Sequence, residues 1–283
     1  MPANDVELRA KPLEIVPDPI VEKLPTDASM LYLRTARVAV RQKMINALRN
    51  TPRWVDDDSD KTINPDFQEN DLDHVLELIE MANDVERNYP QLYLELTDGK
   101  RENWLTLLTA LIIHDIGEVV VGDMARTHSG FHTVYGRTRK LREARAARKL
   151  IHWAVPEKAK DLLDIYERYD RREESDKLIR FGHTLDKGQA SANVARHVLP
   201  FNKKSAGKGY SYIKDLVDSL EASMDHARVV GSHLQSHEAI KQLRNFLEKH
   251  ILSCYWPLIR ELKEEDADAL RLSIQIKYRD ILL

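Results

Sequence analysis

The segment from Trp104 to Asp123 constrains the fold most, because it begins as a core helix and ends in titratable side chains. Apolar residues recur at helical spacing in its first half, at Trp104, Leu107, Leu108, Leu111 and Ile112. The same face continues into His114, Asp115 and Glu118, and Asp123 follows a glycine. Carboxylates and imidazoles are seldom buried without a compensating partner. The segment therefore predicts a functional site at the end of a buried helix.

Helical spacing of apolar residues recurs along the rest of the chain and predicts an all-α helical bundle. Five helices are expected, one starting near residue 26, one near residue 74, and others over 135–153, 156–170 and 175–198, with two or three more beyond 210. Five prolines mark residues 1–25 as an extended N-terminal segment. A Gly- and Lys-containing linker over 202–209 separates the central domain, residues 26–203, from a C-terminal helical extension, residues 210–283.

Composition and charge bound the classes of function. The formal net charge of the 283 residues is -3, which gives no general reason to bind nucleic acid or an acidic membrane. The single cysteine, Cys254, excludes an intramolecular disulfide and fits a reducing compartment. The start lacks the pattern of a signal peptide. The apolar run near Leu105–Ile113 is shorter than the roughly 20 residues of a membrane helix. We therefore expect a cytoplasmic protein.

Two further residues stand out on other predicted helices. His74 lies at the edge of an apolar face, where a lone histidine is more often structural than a ligand. Asp186 falls inside an apolar stripe, so its carboxylate requires a partner. Lys187 is the next residue and is expected to point elsewhere on the helix, which makes a metal ion the better partner. Gly117 would allow the bend that lets both His114 and Asp115 reach one ion.

Two imidazoles and two carboxylates form a mixed nitrogen and oxygen set that suits a divalent transition metal. The ordered motifs are Thr51-Pro52-Arg53-Trp54, Glu69-Asn70-Asp71-Leu72-Asp73-His74, His114-Asp115-Ile116-Gly117-Glu118 with Gly122-Asp123, and Asp186-Lys187. This order resembles the HD-domain metal-dependent phosphohydrolase superfamily and, within it, the 5′-deoxynucleotidases. The resemblance covers roughly residues 28–200.

The resemblance implies a role for each matching residue. The metal ligands would be His74, His114, Asp115 and Asp186. Glu118 would hold or deprotonate the attacking water, and Asp123 would assist or protonate the leaving oxygen. Arg53 would contact the phosphate, because its planar fork donates two hydrogen bonds, and Trp54 would pack against the sugar. The cofactor would be one divalent ion, with Mn, Co, Fe, Ni, Zn and Mg all compatible with the ligand set.

Departures from the family pattern leave the substrate open. Val75 stands where the family usually has serine, and the segment Met124–His132 lacks the usual proline-containing turn. His128 and His132 in that segment fit loop residues better than ligands of a second metal. The leading prediction is hydrolysis of deoxynucleoside 5′-monophosphates to deoxynucleoside and phosphate. The alternatives are a nucleoside triphosphohydrolase, an alarmone hydrolase, a cyclic-nucleotide phosphodiesterase, or a non-catalytic helical binding module.

Partners and surfaces are predicted in the same way. A small-molecule nucleotide is the expected substrate, and neither nucleic acid nor a membrane is expected to bind. The basic helix over 135–153 fits a solvated helix face better than a cation patch that attracts an anionic substrate. For the N-terminal segment and the C-terminal extension three roles are open: they enclose the site, form a homodimer surface or bind a regulator.

Overall fold

A computed structural model describes residues 48–49, 69–121, 134–173, 175–193, 195–196 and 209–261, together with residues 264, 267–268, 271–272 and 274–276. All of them belong to the compact unit formed by residues 43–283. The N-terminal segment, Arg53, Trp54, Asp123, His128, His132 and most of the 202–209 linker lie outside the described residues. The predictions for those positions stay predictions.

The described part of the chain is α-helical and contains no strand, which confirms the predicted all-α class. The helices are α1 (Asp71–Asn88), α2 (Pro90–Thr97), α3 (Arg101–Ile113), α4 (Glu118–Val121), α5 (Val134–Ala154), α6 (Ala159–Arg171), α7 (Lys177–Asn193), α8 (Gly209–His233), α9 (His237–His250) and α10 (Tyr255–Glu261). Short 3₁₀ turns, Pro156–Lys158 and Leu252–Cys254, precede α6 and α10.

Polar residues at the helix starts explain several of these boundaries. The side chain of Asn70 accepts a hydrogen bond from the Asp73 amide at 3.0 Å and caps α1. Asp176 accepts from the Ile179 amide at 3.1 Å at the start of α7. Ser236 accepts from the Ala239 amide at 3.1 Å and caps α9. These caps satisfy amide groups that the first helical turn leaves without a partner.

Helix α7 is the centre of the bundle. Thirteen of its residues are buried, including Phe181, Leu185 and Asp186. Helices α1 and α3 pack on it, and α8 runs along it. Trp104 of α3 is 1% exposed and stacks on Phe181 with ring centroids 6.4 Å apart. The C-terminal helices contribute Leu220, Phe246 and Tyr255 among others to this same core.

A second, smaller apolar cluster lies beneath the end of α3. It contains Ile113 and Ile116 with Ala147 and Ile151 of α5 and Tyr166 of α6. The turn that follows α3 packs on this cluster through Ile113 and Ile116. Because α5 and α6 both contribute to it, the position of the turn depends on the packing of two helices that come later in the chain.

By length and composition, the 21 residues Arg101–Val121 could cross a membrane. The sequence had predicted an apolar run that is too short for a membrane helix. In the structure, however, α3 ends at Ile113 and a turn follows before α4. Trp104, Leu107 and Leu111 of this segment are buried in the core. A core helix of a soluble protein passes the same test, so the finding is weak evidence for a membrane span.

Candidate metal centre

Three of the predicted metal ligands lie together in the interior, each carried by a different part of the bundle. His74 comes from the first turn of α1, His114 follows the last residue of α3, and Asp186 lies in the middle of α7. One ligand atom of each residue lies within 4.8 Å of the other two, and all three residues are buried. The helices that surround α7 therefore bring together residues separated by 40 and 72 positions in the sequence.

Asp115 lies beside this trio. Its Oδ2 is 2.9 Å from His114 Nε2 and 3.7 Å from His74 Nε2, while Asp186 Oδ1 is 3.4 Å from His74 Nε2. Bonds of about 2.0–2.2 Å to a metal ion place neighbouring ligand atoms about 3.0–3.5 Å apart in tetrahedral or octahedral geometry. The 2.9 and 3.4 Å separations lie near this range, whereas the 3.7 Å separation and the 4.0 Å between His114 Nε2 and Asp186 Oδ1 are longer. His74, His114 and Asp186 form the set that could hold one ion, and Asp115 lies beside it.

The turn after α3 makes it possible for His114 and Asp115 to face the same point. α3 ends at Ile113, and the amides of Ile116 and Glu118 donate to the carbonyls of Ile113 and Asp115 at 3.2 and 2.9 Å. The chain thus leaves regular helical geometry immediately at the His-Asp pair. A bend near this position was predicted from Gly117, but Gly117 does not have a positive φ; its lack of a side chain matters because a Cβ there would lie 2.4 Å from the Glu143 carbonyl oxygen.

The hydrogen bonds of the two imidazoles leave one nitrogen of each for another ligand. His74 Nδ1 is 2.7 Å from Gln189 Oε1, and His114 Nδ1 is 2.8 Å from the carbonyl oxygen of Leu111. Both acceptors require Nδ1 to carry the proton. The Nε2 atoms of His74 and His114 are buried and make no hydrogen bond of regular geometry, and they face the carboxylate oxygens of Asp186 and Asp115 at 3.4 and 2.9 Å. Buried imidazole nitrogens that face carboxylate oxygens fit metal ligands, and the residues present therefore fit a divalent ion.

The electrostatic setting of Asp186 corrects one expectation from the sequence. Lys187 does not point away, because its Nζ lies 2.5 Å from Asp186 Oδ2. The long, flexible lysine side chain reaches around the helix to its neighbour. Burial by itself would raise the pKa of Asp186, but Lys187, His74 and His114 hold that pKa well below its usual range. The carboxylate therefore stays charged, with Oδ1 on the side of the two imidazoles.

Helix α5 places a cation and a buried acid close to the turn. Lys140 Nζ lies 2.7 Å from Glu143 Oε1, and Glu143 is 4% exposed. Burial would lower the pKa of Lys140, but Glu143, Asp115 and Glu118 together raise it, so the amine stays protonated. Arg142, Arg145, Arg148 and Lys149 on the same helix are exposed, as predicted for a solvated face.

The ring of Tyr169, on α6, lies next to the imidazole of His114. Its centroid is 5.5 Å from the centroid of His114, and its Cε2 would lie 2.9 Å from a Cβ added at Gly182, one turn before Asp186. The Tyr169 hydroxyl is buried without a hydrogen-bond partner among the described residues. Burial, and then Asp186 and Asp115, raise the pKa of this hydroxyl well above its usual value, so it remains a donor. Tyr169 and Gln189 carry no signal in the sequence that marks them as site residues, and Lys140 is one of several cations on a basic helix.

A buried histidine behind Tyr169 gives a pH prediction. His183 Nε2 donates to the Tyr169 carbonyl at 2.9 Å, and burial, helped by Arg172 and Lys187 and opposed by Asp186, lowers the pKa of His183 to about 2. As pH falls below the ordinary value of 6.5 the unfolded chain takes up this proton and the folded chain does not. His183 should therefore cost the folded protein about 2 kcal/mol of stability between pH 7 and pH 5.

The measurement is urea unfolding of the metal-free protein at pH 7 and pH 5, for wild type and His183→Asn. The wild type should lose about 2 kcal/mol more than the variant over this range. The comparison of two proteins removes the contributions of other titrating groups, such as His114, whose raised pKa acts in the opposite direction. Equal losses in both proteins would show that His183 is protonated in the folded state.

Helices that bring two histidines and an aspartate to one buried point, with a second aspartate beside them, are typical of a metal-binding helical domain. A search of protein families matches residues 45–260 to the HD domain, and the chain therefore belongs to the HD-domain family. Proteins of this family are generally metal-dependent hydrolases. Searches of curated proteins and of solved structures found no significant match.

Proposed function

We propose that this chain is a phosphohydrolase that converts deoxynucleoside 5′-monophosphates to deoxynucleosides and phosphate with one divalent ion. The observation that supports the hydrolase assignment is the buried cluster of His74, His114 and Asp186 in a chain of the HD-domain family, with their ligand atoms within 4.8 Å of one another. The choice of substrate rests on the sequence resemblance, including the positions of Arg53 and Trp54.

The residues that would hold the ion are His74, His114, Asp115 and Asp186. The ion, when bound, would neutralise phosphate charge and make a water molecule more acidic. Its identity among Mn, Co, Fe, Ni, Zn and Mg follows availability as much as geometry.

The remaining steps are assigned to side chains of this chain. Glu118 follows the His-Asp turn directly and would accept the proton of the attacking water. Lys140 stays protonated beside Asp115 and Glu118 and would attract the phosphate. The buried Tyr169 hydroxyl would donate to a phosphate oxygen, which would supply the partner it lacks among the described residues. Asp123 would protonate the leaving oxygen, and Arg53 and Trp54 would bind phosphate and sugar.

Product analysis tests this proposal. Metal-loaded protein is incubated with deoxynucleoside and ribonucleoside monophosphates, triphosphates, an alarmone and cyclic nucleotides, and the products are separated by chromatography. We expect phosphate from deoxynucleoside monophosphates, with at least a 100-fold loss of rate in Glu118→Ala. Glu80→Ala, which changes an exposed glutamate on α1, is the matched control and should keep the wild-type rate.

The other products identify the alternatives. Triphosphate, pyrophosphate or a linear monophosphate would assign the same centre to a triphosphohydrolase, an alarmone hydrolase or a cyclic-nucleotide phosphodiesterase, respectively. Bound metal without any product would favour a binding module. Each of these results would overturn the nucleotidase assignment.

A further inference from the structure

We propose that Gln189 is a positioning residue that holds His74 in the tautomer with the proton on Nδ1, leaving the Nε2 lone pair for a metal ion. This inference rests on the metal centre of the proposed function but does not depend on the substrate. Gln189 and His74 are separated by 115 positions in the sequence and meet because α1 packs on α7.

The contact between the side chains of Gln189 and His74 is short and is buried away from solvent. Gln189 Oε1 lies 2.7 Å from His74 Nδ1, and the residues are 1% and 0% exposed. Water is therefore excluded as a competing partner at this nitrogen. If Oε1 is the atom that faces His74, the contact is a hydrogen bond only when Nδ1 carries the proton, since an amide oxygen accepts and cannot donate.

Two carboxylates fix which end of the amide faces His74. Gln189 Nε2 donates to Glu69 Oε1 and to Glu77 Oε2, each at 2.6 Å. A flipped amide would place its oxygen against both acceptors and lose both hydrogen bonds. Asn193 Nδ2 also donates to Glu69, at 2.9 Å, and Arg196 Nη1 donates to Glu77 at 3.2 Å. These contacts hold the carboxylates in place, so the network sets the orientation of Oε1.

The two histidines differ in a way that makes the inference testable. His114 Nδ1 donates to the backbone carbonyl of Leu111, which no side-chain substitution removes. The Nδ1 of His74, by contrast, has a side-chain oxygen, Gln189 Oε1, as its hydrogen-bond acceptor. Loss of the acceptor would let the proton of His74 move to Nε2, where it would compete with the metal ion for the lone pair. Glu69, the first residue of the Glu69–His74 motif, is only 6% exposed and accepts a hydrogen bond from Gln189 in this network.

The test compares wild type with Gln189→Met, which keeps the length of the side chain and removes its hydrogen-bonding atoms. Zinc affinity is measured by competition with a chelator. We expect binding to weaken about 10–100-fold, the usual cost of losing an outer-shell partner of a ligand. Gln235→Met, at an exposed glutamine, is the matched control and should bind zinc as wild type does.

A spectroscopic measurement separates tautomer control from a packing role. Long-range ¹⁵N–¹H correlation spectra of the metal-free protein report which imidazole nitrogen carries the proton. His74 should be protonated at Nδ1 in wild type and should populate the Nε2–H form in Gln189→Met.

Specific results would overturn the inference. An Nε2–H form of His74 in wild type, or unchanged zinc affinity in a folded Gln189→Met protein, would show that Gln189 does not set the tautomer. Because the spectrum of wild type needs no substitution, the test holds even if the variant fails to fold. Wild type that binds no zinc or other divalent ion would instead refute the metal centre, whatever the tautomer of His74.

Discussion

Replacing His114 with alanine is expected to remove tight metal binding and hydrolysis together. The Nε2 of this residue is buried and lies within 4.8 Å of the ligand atoms of His74 and Asp186. The loss of affinity should exceed the roughly 10–100-fold cost of removing an outer-shell residue, because a direct ligand is lost.

Elemental analysis of purified protein after dialysis measures this effect. Wild type should retain about one ion per chain, as a single centre of this ligand set predicts, whereas His114→Ala should retain almost none. Asp186→Asn provides a second variant that keeps the size of the side chain and lowers the charge of the site. His152→Ala, at an exposed histidine on α5, is the control. Wild-type metal content in both His114→Ala and Asp186→Asn would contradict a centre at this position.

Gly117→Ala should be among the most destabilising single-methyl additions in this protein. A Cβ at Gly117 would lie 2.4 Å from the carbonyl oxygen of Glu143 and 2.8 Å from its Cγ, so α5 lies directly against the turn. A backbone oxygen cannot rotate away as a flexible side chain can, and either the turn or α5 must move. We expect a loss of about 3 kcal/mol, at the upper end for overpacking, and a fall in Tm of roughly 6–12 °C.

Gly99→Ala separates this steric effect from a conformational one. Gly99 has a φ of 70° and no atom within 4 Å of an added Cβ, so alanine there should cost only about 1 kcal/mol. Thermal unfolding of both variants without metal measures the difference. Because Gly117 lies between Asp115 and Glu118, its substitution should also weaken metal binding, whereas Gly99→Ala should not. Equal destabilisation of the two variants would show that α5 yields to the added methyl group.

The identity of the helices could be predicted from the sequence because helical periodicity is local. The apolar stripe from Trp104 to Leu111 determined that α3 is a core helix and that His114 follows its buried face. The stripe of α7 likewise placed Asp186 in the interior. The apolar faces of three different helices lead to or contain a polar residue, namely His74, His114 and Asp186, whose burial requires a compensating partner. That pattern was sufficient to predict a shared centre before any contact was known.

Other features depended on contacts that periodicity does not encode. The sequence placed Lys187 away from Asp186, but the structure pairs them, because a flexible four-carbon side chain is not confined to the direction of its Cα–Cβ bond. Tyr169 comes from α6, whose sequence gave no sign of the buried hydroxyl beside His114. Lys140 appeared as one cation among several on a basic helix, and only the packing of α5 brought it to Glu143 and the turn.

The sequence by itself determined the helical class, the core faces of α1, α3 and α7, and the residues predicted to bind metal, because each is a property of short segments. Only the tertiary structure decided how those residues are oriented. The proton position on His74 depends on Gln189, which is 115 residues away and is itself held by Glu69 and Glu77. Such a network exists only after α1 packs on α7, since hydrogen bonding between buried side chains requires the atoms to be brought within about 3 Å of one another.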